Sequence, residues 1–177
     1  MKIVCLDVAT QCGLCVGSSG CGNPRSWSVD LGRGFSEDYR FSETLKLTHG
    51  LIETHNPDLI VVEAFIGGAH ASAYLIGLVA CVRGCAANRG VKCVMVYPAT
   101  VRKAVLGKAF TSRDFPGMKQ ARAKIAIKQL GRNHCEKVLG WDVPDLDASD
   151  AALTYEWACA TYAPAYQAKP HGGLFTK

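Results

Sequence analysis

At 177 residues the chain suits one ordinary domain, long enough to bury a core without disulfides, and 49% hydrophobic with 20% charged residues excludes a disordered tail. The formal net charge is only +5, yet residues 102–137 carry ten Lys and Arg against Asp114 and Glu136, leaving ten basic against thirteen acidic residues elsewhere. A basic block on an otherwise acidic chain points to a polyanionic partner, although a solvated helix face explains the charge alone equally well.

No apolar run reaches the ~18 uninterrupted residues of a membrane span. The nine cysteines are odd in number, sit inside apolar runs, and follow no secretory signal, so they read as buried thiols in a reducing compartment. Cys12 and Cys15 form a C-x-x-C pair. No second pair at that spacing follows to complete a zinc site, and the pair enters a strand, whereas a redox pair opens a helix.

In chain order, residues 2–6 are a β-branched apolar run ending in Asp7, the pattern of a buried strand. A loop at 8–11 leads to a second strand at 12–18, a Gly/Asn/Pro turn at 20–24, and a third strand at 27–31, which together predict an antiparallel meander. Ser36 followed by Glu37 and Asp38 starts a helix whose apolar stripe (Phe41, Leu45, Leu47, Leu51, Ile52) runs to His55 and stops at Asn56-Pro57. Residues 58–62 form a fourth strand ending in Glu63.

Gly67-Gly68 breaks the chain before a long helix over 69–88, which is apolar around most of its circumference. Such a helix is either sandwiched in the core or buried against a second subunit, and a domain of this size favours the second. A fifth strand follows at 91–96, ended by Tyr97-Pro98. Then come the basic stretch, a helix over 118–130, a loop rich in Asp and Pro at 141–147, and a final helix over 148–161. The order β-β-β-α-β-α-β-α-α predicts an α/β fold: a mixed five-stranded sheet, three antiparallel strands plus two parallel ones, flanked by helices. Residues 1–162 make the domain, and residues 163–177 are expected to be a flexible tail.

Four carboxylates hold the chemistry. Asp7 and Glu63 each end a buried strand, and meet if those strands are neighbours. Asp147 and Asp150, spaced i and i+3, share one helix face. Each also has a plainer explanation: Asp147 suits the N-cap of the last helix, Asp150 its first turn, Asp7 a strand-ending turn, Glu63 an ordinary surface position. Four acids in one cleft repel unless cations lie among them, and all-oxygen ligation suits a pair of Mg²⁺ or Mn²⁺ ions acting on a phosphodiester.

Three segments, 3–17 (IVCLDVATQCGLCVG), 59–65 (LIVVEAF) and 147–153 (DASDAAL), resemble the acidic motifs of the RuvC-type Holliday-junction resolvases, which have the ribonuclease-H-like fold. Between them 97–107 (YPATVRKAVLG) and the Lys-rich helix resemble the family's basic segment. The match runs in order over nearly the whole domain. The resemblance implies a homodimeric, Mg²⁺-dependent endonuclease that nicks two symmetry-related strands of a four-way junction, with Asp7, Glu63, Asp147 and Asp150 as its metal-binding catalytic tetrad. It also implies DNA handling by Arg102 and Lys119 and a dimer helix at 69–88; Lys103, Lys108 and Arg122 of the same basic stretch, and Phe65, join the expected DNA contacts.

Three departures mark a divergent branch, phage or organellar, working in the cytoplasm of a bacterium or infected host, or in an organelle such as the mitochondrial matrix. The family's aromatic wedge falls at Ile66 here, with Phe65 one position earlier. Residues 108–117 (KAFTSRDFPG) lengthen the usual turn, and Val8-Ala9-Thr10 replaces the usual Pro-Gly. Forks and flaps join the expected substrates. The rivals are a nuclease of RNA or RNA–DNA hybrids and a non-catalytic branched-DNA-binding module. A phosphotransferase of the actin and sugar-kinase type needs a second, Gly-rich half for which the chain has no room.

Overall fold

The computed structural model describes residues 1–20, 22–65, 72–163, 165 and 166. Five strands, β1 (Lys2–Asp7), β2 (Gln11–Ser18), β3 (Arg25–Asp30), β4 (Leu59–Glu63) and β5 (Lys92–Val96), form one sheet in the order β3-β2-β1-β4-β5. β1 and β2 pair antiparallel, as do β2 and β3, whereas β1/β4 and β4/β5 are parallel. This is the mixed sheet expected. β1 and β4 read as unbroken apolar runs because both of their faces are covered. Alternate residues supply two separate cores. Ile3, Cys5, Leu59 and Val61 face one layer of helices, and Val4, Leu6, Ile60 and Val62 face the other.

Helices α1 (Glu37–His55) and α2 (Ala73–Asn88) cover the second face. Ser36 caps α1 by accepting from the Tyr39 N–H, as its sequence predicts. The first face is covered by α3 (Pro98–Leu106), α4 (Gln120–His134) and α5 (Leu146–Tyr162), with a 3₁₀ turn at Ser112–Asp114 and a π-helical turn at Cys135–Leu139.

The structure departs from the expected elements in three places. α3 stands where only an irregular basic stretch was expected: Pro98, taken as the end of β5, is also the first residue of a helix, where its missing N–H costs nothing. α4 and its π turn run to Leu139, past the expected end at 130, because His134, Cys135 and Leu139 are buried. The N-cap of α5 is Asp145, not Asp147: its carboxylate accepts from the Ala148 N–H at 2.8 Å.

Of the helix expected over 69–88, residues 69–71 lie outside the described residues, as do Gly67-Gly68 and Ile66. α2 buries Leu78, Val79, Val82 and Ala86 on the sheet and α1. Ala73, Ile76 and Ala80 are exposed, so α2 is not sandwiched within the chain. In the expected tail, residues 164 and 167–177 lie outside the described set, while Ala163 is buried and Tyr166 donates a hydrogen bond to Glu156. Among the described residues no helix is long and apolar enough to cross a membrane.

The cysteines behave as small hydrophobes. Cys12 and Cys15 project to opposite faces of the sheet, one into each core, so the C-x-x-C pair cannot share a metal or a disulfide. Burial pushes the Cys15 thiol up to about 12, which leaves it inert at neutral pH.

Candidate active site

The register of the central strands brings the first two acids together. Leu6 lies beside Val62 in the parallel pair, so Asp7 and Glu63, the next residues, leave neighbouring strands at the same sheet edge. The carboxyl ends of parallel strands are where open α/β sheets form their crevices.

α5 supplies the second pair. Asp7 is registered opposite Gly13 on β2, and a Cβ built on Gly13 would lie 2.0 Å from the Asp147 carbonyl oxygen. Only a residue with no side chain lets the first turn of α5 close onto β2. The start of α5 is further held by a short relay in which Gln11 donates to the Ser28 hydroxyl (3.0 Å) and Ser28 donates to Asp145 (2.6 Å), the residue that caps the helix. With Asp145 as cap, Asp147 and Asp150 are left to face Asp7.

α4 contributes a residue that sequence reasoning counted only among the basic block. Lys128 Nζ donates to Asp147 Oδ1 at 2.7 Å, and lies 2.8 Å from Asp150 Oδ2 and 3.7 Å from Asp7 Oδ2. Nearby, an added Cβ on Gly131 would meet the end of the Leu153 side chain of α5 at 2.7 Å, so the two helices pack closely there. The sequence alone carries no mark of this role of Lys128, because Lys124, Lys128 and Arg132 each follow one residue of the buried stripe Ala123, Ile127, Gly131 and so share one edge of the helix.

The electrostatics are those of a crowded anionic pocket. Asp7, only 15% exposed, has its pKa raised from 3.8 to about 7, first by burial and then by the charge of Asp150, against the opposing pull of Lys128. Burial and the charges of Asp7 and Asp150 hold Glu63 well above the usual carboxylate range, although Arg102 and Lys128 draw it down. Burial works against the charge on Lys128, but Asp150, Asp7 and Asp147 together raise its pKa above that of an ordinary lysine.

One ammonium therefore stands among three carboxylates, and two of the acids still resist ionisation. That is a deficit of positive charge, and the donor set is entirely oxygen, so the residues fit Mg²⁺ or Mn²⁺. Among the described residues no group of three or more acids, His or Cys is drawn tightly enough around one point to hold an ion as it stands. Lys128 Nζ takes the middle of the cluster instead.

The basic residues divide. Arg102, on α3, lines a cavity of about 570 Å³ together with Glu63 and Lys128, and so belongs to the acid cluster's edge. Lys103 is exposed on the same helix. Lys108 is engaged, 2.5 Å from Asp114. Lys119, the residue preceding α4, and Arg122 in its first turn are exposed and flank a shallow surface depression with Met118 and Ile125. Phe65 is half-buried against the core beneath α1 and α2 rather than standing free at the crevice.

No protein-family model matches the chain, and no curated protein matches it in sequence. Solved structures do. The chain is similar to RuvC of Thermus thermophilus at 21% identity, over 90% of this chain and 96% of that one, with a TM-score of 0.61. It is similar at 16% identity to T. thermophilus RuvC in complex with a Holliday junction substrate, over 90% and 95% of the two chains, with a TM-score of 0.60. A third similar structure is the yeast mitochondrial Holliday junction resolvase Ydc2, at 11% identity over 85% of this chain and 74% of that one, with a TM-score of 0.53. These likenesses show the fold: the chain has the ribonuclease-H-like fold of the RuvC-type resolvases.

Proposed function

We propose that this protein is a divalent-metal-dependent endonuclease that nicks four-way DNA junctions and extends to other branched DNA. The observation that carries the reading is the gathering, from three separated parts of the chain, of Asp7, Asp147 and Asp150 around the Lys128 ammonium, with Glu63 close enough to feel the charges of Asp7 and Asp150. The likeness to resolvase structures supports the same reading.

Asp7, Glu63, Asp147 and Asp150 would hold Mg²⁺ or Mn²⁺, two ions per site. Bound there, the ions supply an activated water and stabilise the departing 3′ oxygen of the phosphodiester. Lys128 and Arg102 are the cations at the cluster, and they offset the charge of the phosphate drawn against four acids. The exposed Lys103, Lys119 and Arg122 hold flanking phosphates without reading sequence.

A four-way junction is two-fold symmetric, and paired nicks in it need two sites related by the same symmetry. The open side of α2, with Ala73, Ile76 and Ala80, is the face on which a second copy would pack.

The test is nicking of a four-way junction, a linear duplex and an RNA–DNA hybrid of matched sequence, with Mg²⁺ or with chelator. The expected result is Mg²⁺-dependent cutting of the junction by the native protein, no cutting by Asp7→Asn, and junction binding by both. Cutting confined to the hybrid, or retained by Asp7→Asn, overturns the reading.

A further inference from the structure

The cavity of about 570 Å³ beside the acid cluster is larger than phosphodiester chemistry requires. One end is shared with the cluster through Glu63, Arg102 and Lys128, and its apolar walls are Tyr97, Phe110 and Ile127. Tyr97 is 58% exposed. It also occupies the N-cap position of α3 without making any side-chain capping bond, so the start of the helix does not depend on its side chain.

Another wall is formed by Phe110, Thr111 and Ser112 of the segment 108–117. Contacts within the segment hold that wall. The Thr111 N–H donates to Asp114 at 2.7 Å, Lys108 pairs with Asp114, the Lys108 ammonium lies 5.5 Å from the Phe110 ring centre, and Phe110 and Phe115 stand 6.5 Å apart.

We propose that this cavity receives the base of the nucleotide adjoining the phosphate cut at the acid cluster, and that the segment 97–112 thereby sets which base sequence is cleaved. The inference rests on the nuclease reading given above. A phosphate at the cluster places the neighbouring nucleoside within one nucleotide's reach of Tyr97 and Phe110. At a branch point the strand is not fully stacked, so turning one base aside costs less than in continuous duplex.

Aromatic faces accept any base by stacking, and Ser112, which lines the same cavity, offers a hydroxyl that can discriminate base edges. The cationic side chains of Arg102, Lys124 and Lys128 around an otherwise apolar cavity match a nucleotide strand, with its anionic backbone and flat base, better than a neutral apolar ligand.

The experiment uses the intact protein and four-way junctions identical except for the nucleotides flanking the cut, which carry each of the four bases or an abasic site. The abasic junction is expected to be cut roughly 5- to 150-fold more slowly than the preferred one, the range that base–aromatic stacking energies give. Tyr97→Leu and Phe110→Leu keep apolar bulk but remove the ring, and each is expected to narrow that spread. Tyr97→Leu, at an exposed position, guards against a folding defect in the half-buried Phe110 variant.

Occupancy is also read without cutting. A 5-iodouracil beside the branch point, irradiated in chelator, is expected to crosslink to Tyr97 or Phe110. Equal cutting of abasic and preferred junctions, an undiminished spread in both variants, or crosslinks that miss both rings overturns the inference. Absence of cutting on every junction defeats the nuclease reading instead, and the crosslink then decides the cavity alone.

Discussion

Asp7→Asn should make the protein more stable at alkaline pH when no divalent ion is present. The native Asp7 carboxyl holds its proton up to about pH 7, whereas an unfolded chain releases it near the ordinary 3.8. Across that window the folded state binds more protons than the unfolded one, so stability falls as pH rises from about 4 to 7 and levels off above. At 1.36 kcal/mol per pH unit, the rise from 3.8 to about 7 puts the cost of ionising Asp7 at about 4 kcal/mol, set first by burial and then by the charge of Asp150. Asparagine keeps the shape and removes the charge. Urea unfolding at pH 5 and pH 8 in chelator measures the effect: the native protein should lose several kcal/mol between the two, and Asp7→Asn should lose distinctly less. Added Mg²⁺ should restore the native protein at pH 8 and help the variant little. A flat pH profile for the native protein, or a variant less stable than it at pH 8, refutes the reasoning.

Further expectations test how the site is built. Gly13→Ala forces a methyl to within 2.0 Å of the Asp147 carbonyl, so β2 or α5 must move; a loss of about 1–3 kcal/mol in denaturant titration and of junction cutting is expected, with far-UV circular dichroism unchanged. Lys128→Met leaves the partly buried acids uncompensated and should cost about 2 kcal/mol at pH 8, with much of the loss regained at pH 5 as Asp7 and Glu63 protonate; equal losses at both pH values contradict this. In filter-binding or anisotropy titrations, Lys119→Ala and Arg122→Ala should each lower the salt slope of junction binding by about 1, whereas Lys108→Ala should change it less, because Asp114 already engages that ammonium.

Much of the site was legible because it lies at the ends of strongly patterned elements. Residues 2–6 and 59–62 can only be buried strands, and a parallel pairing puts the acid ending each at the same edge. The pair at 147 and 150 needs only helical spacing to face one way. What stayed hidden depends on contacts between elements distant in sequence. Nothing local distinguishes Lys128 from nine other cations of the basic block; its role comes from the packing of α4 against α5, which carries Asp147 and Asp150. Gly13 looks like an ordinary strand glycine until α5 is seen to press on it. α3 was missed because Pro98 ends a strand and starts a helix with the same ring geometry. Asp147 suited the N-cap on sequence alone, whereas the cap is Asp145, which accepts from the hydroxyl of Ser28 on a strand 117 residues earlier.

The central claim is that these carboxylates, scattered along the chain, converge to hold divalent cations. Titration of the metal-free protein with Mn²⁺, followed by the electron paramagnetic resonance of the free ion, measures this directly. Two Mn²⁺ bound per chain, competed by Mg²⁺ and reduced by Asp7→Asn and by Asp150→Asn, is the result the account predicts. Binding that is absent, or indifferent to both substitutions, contradicts it.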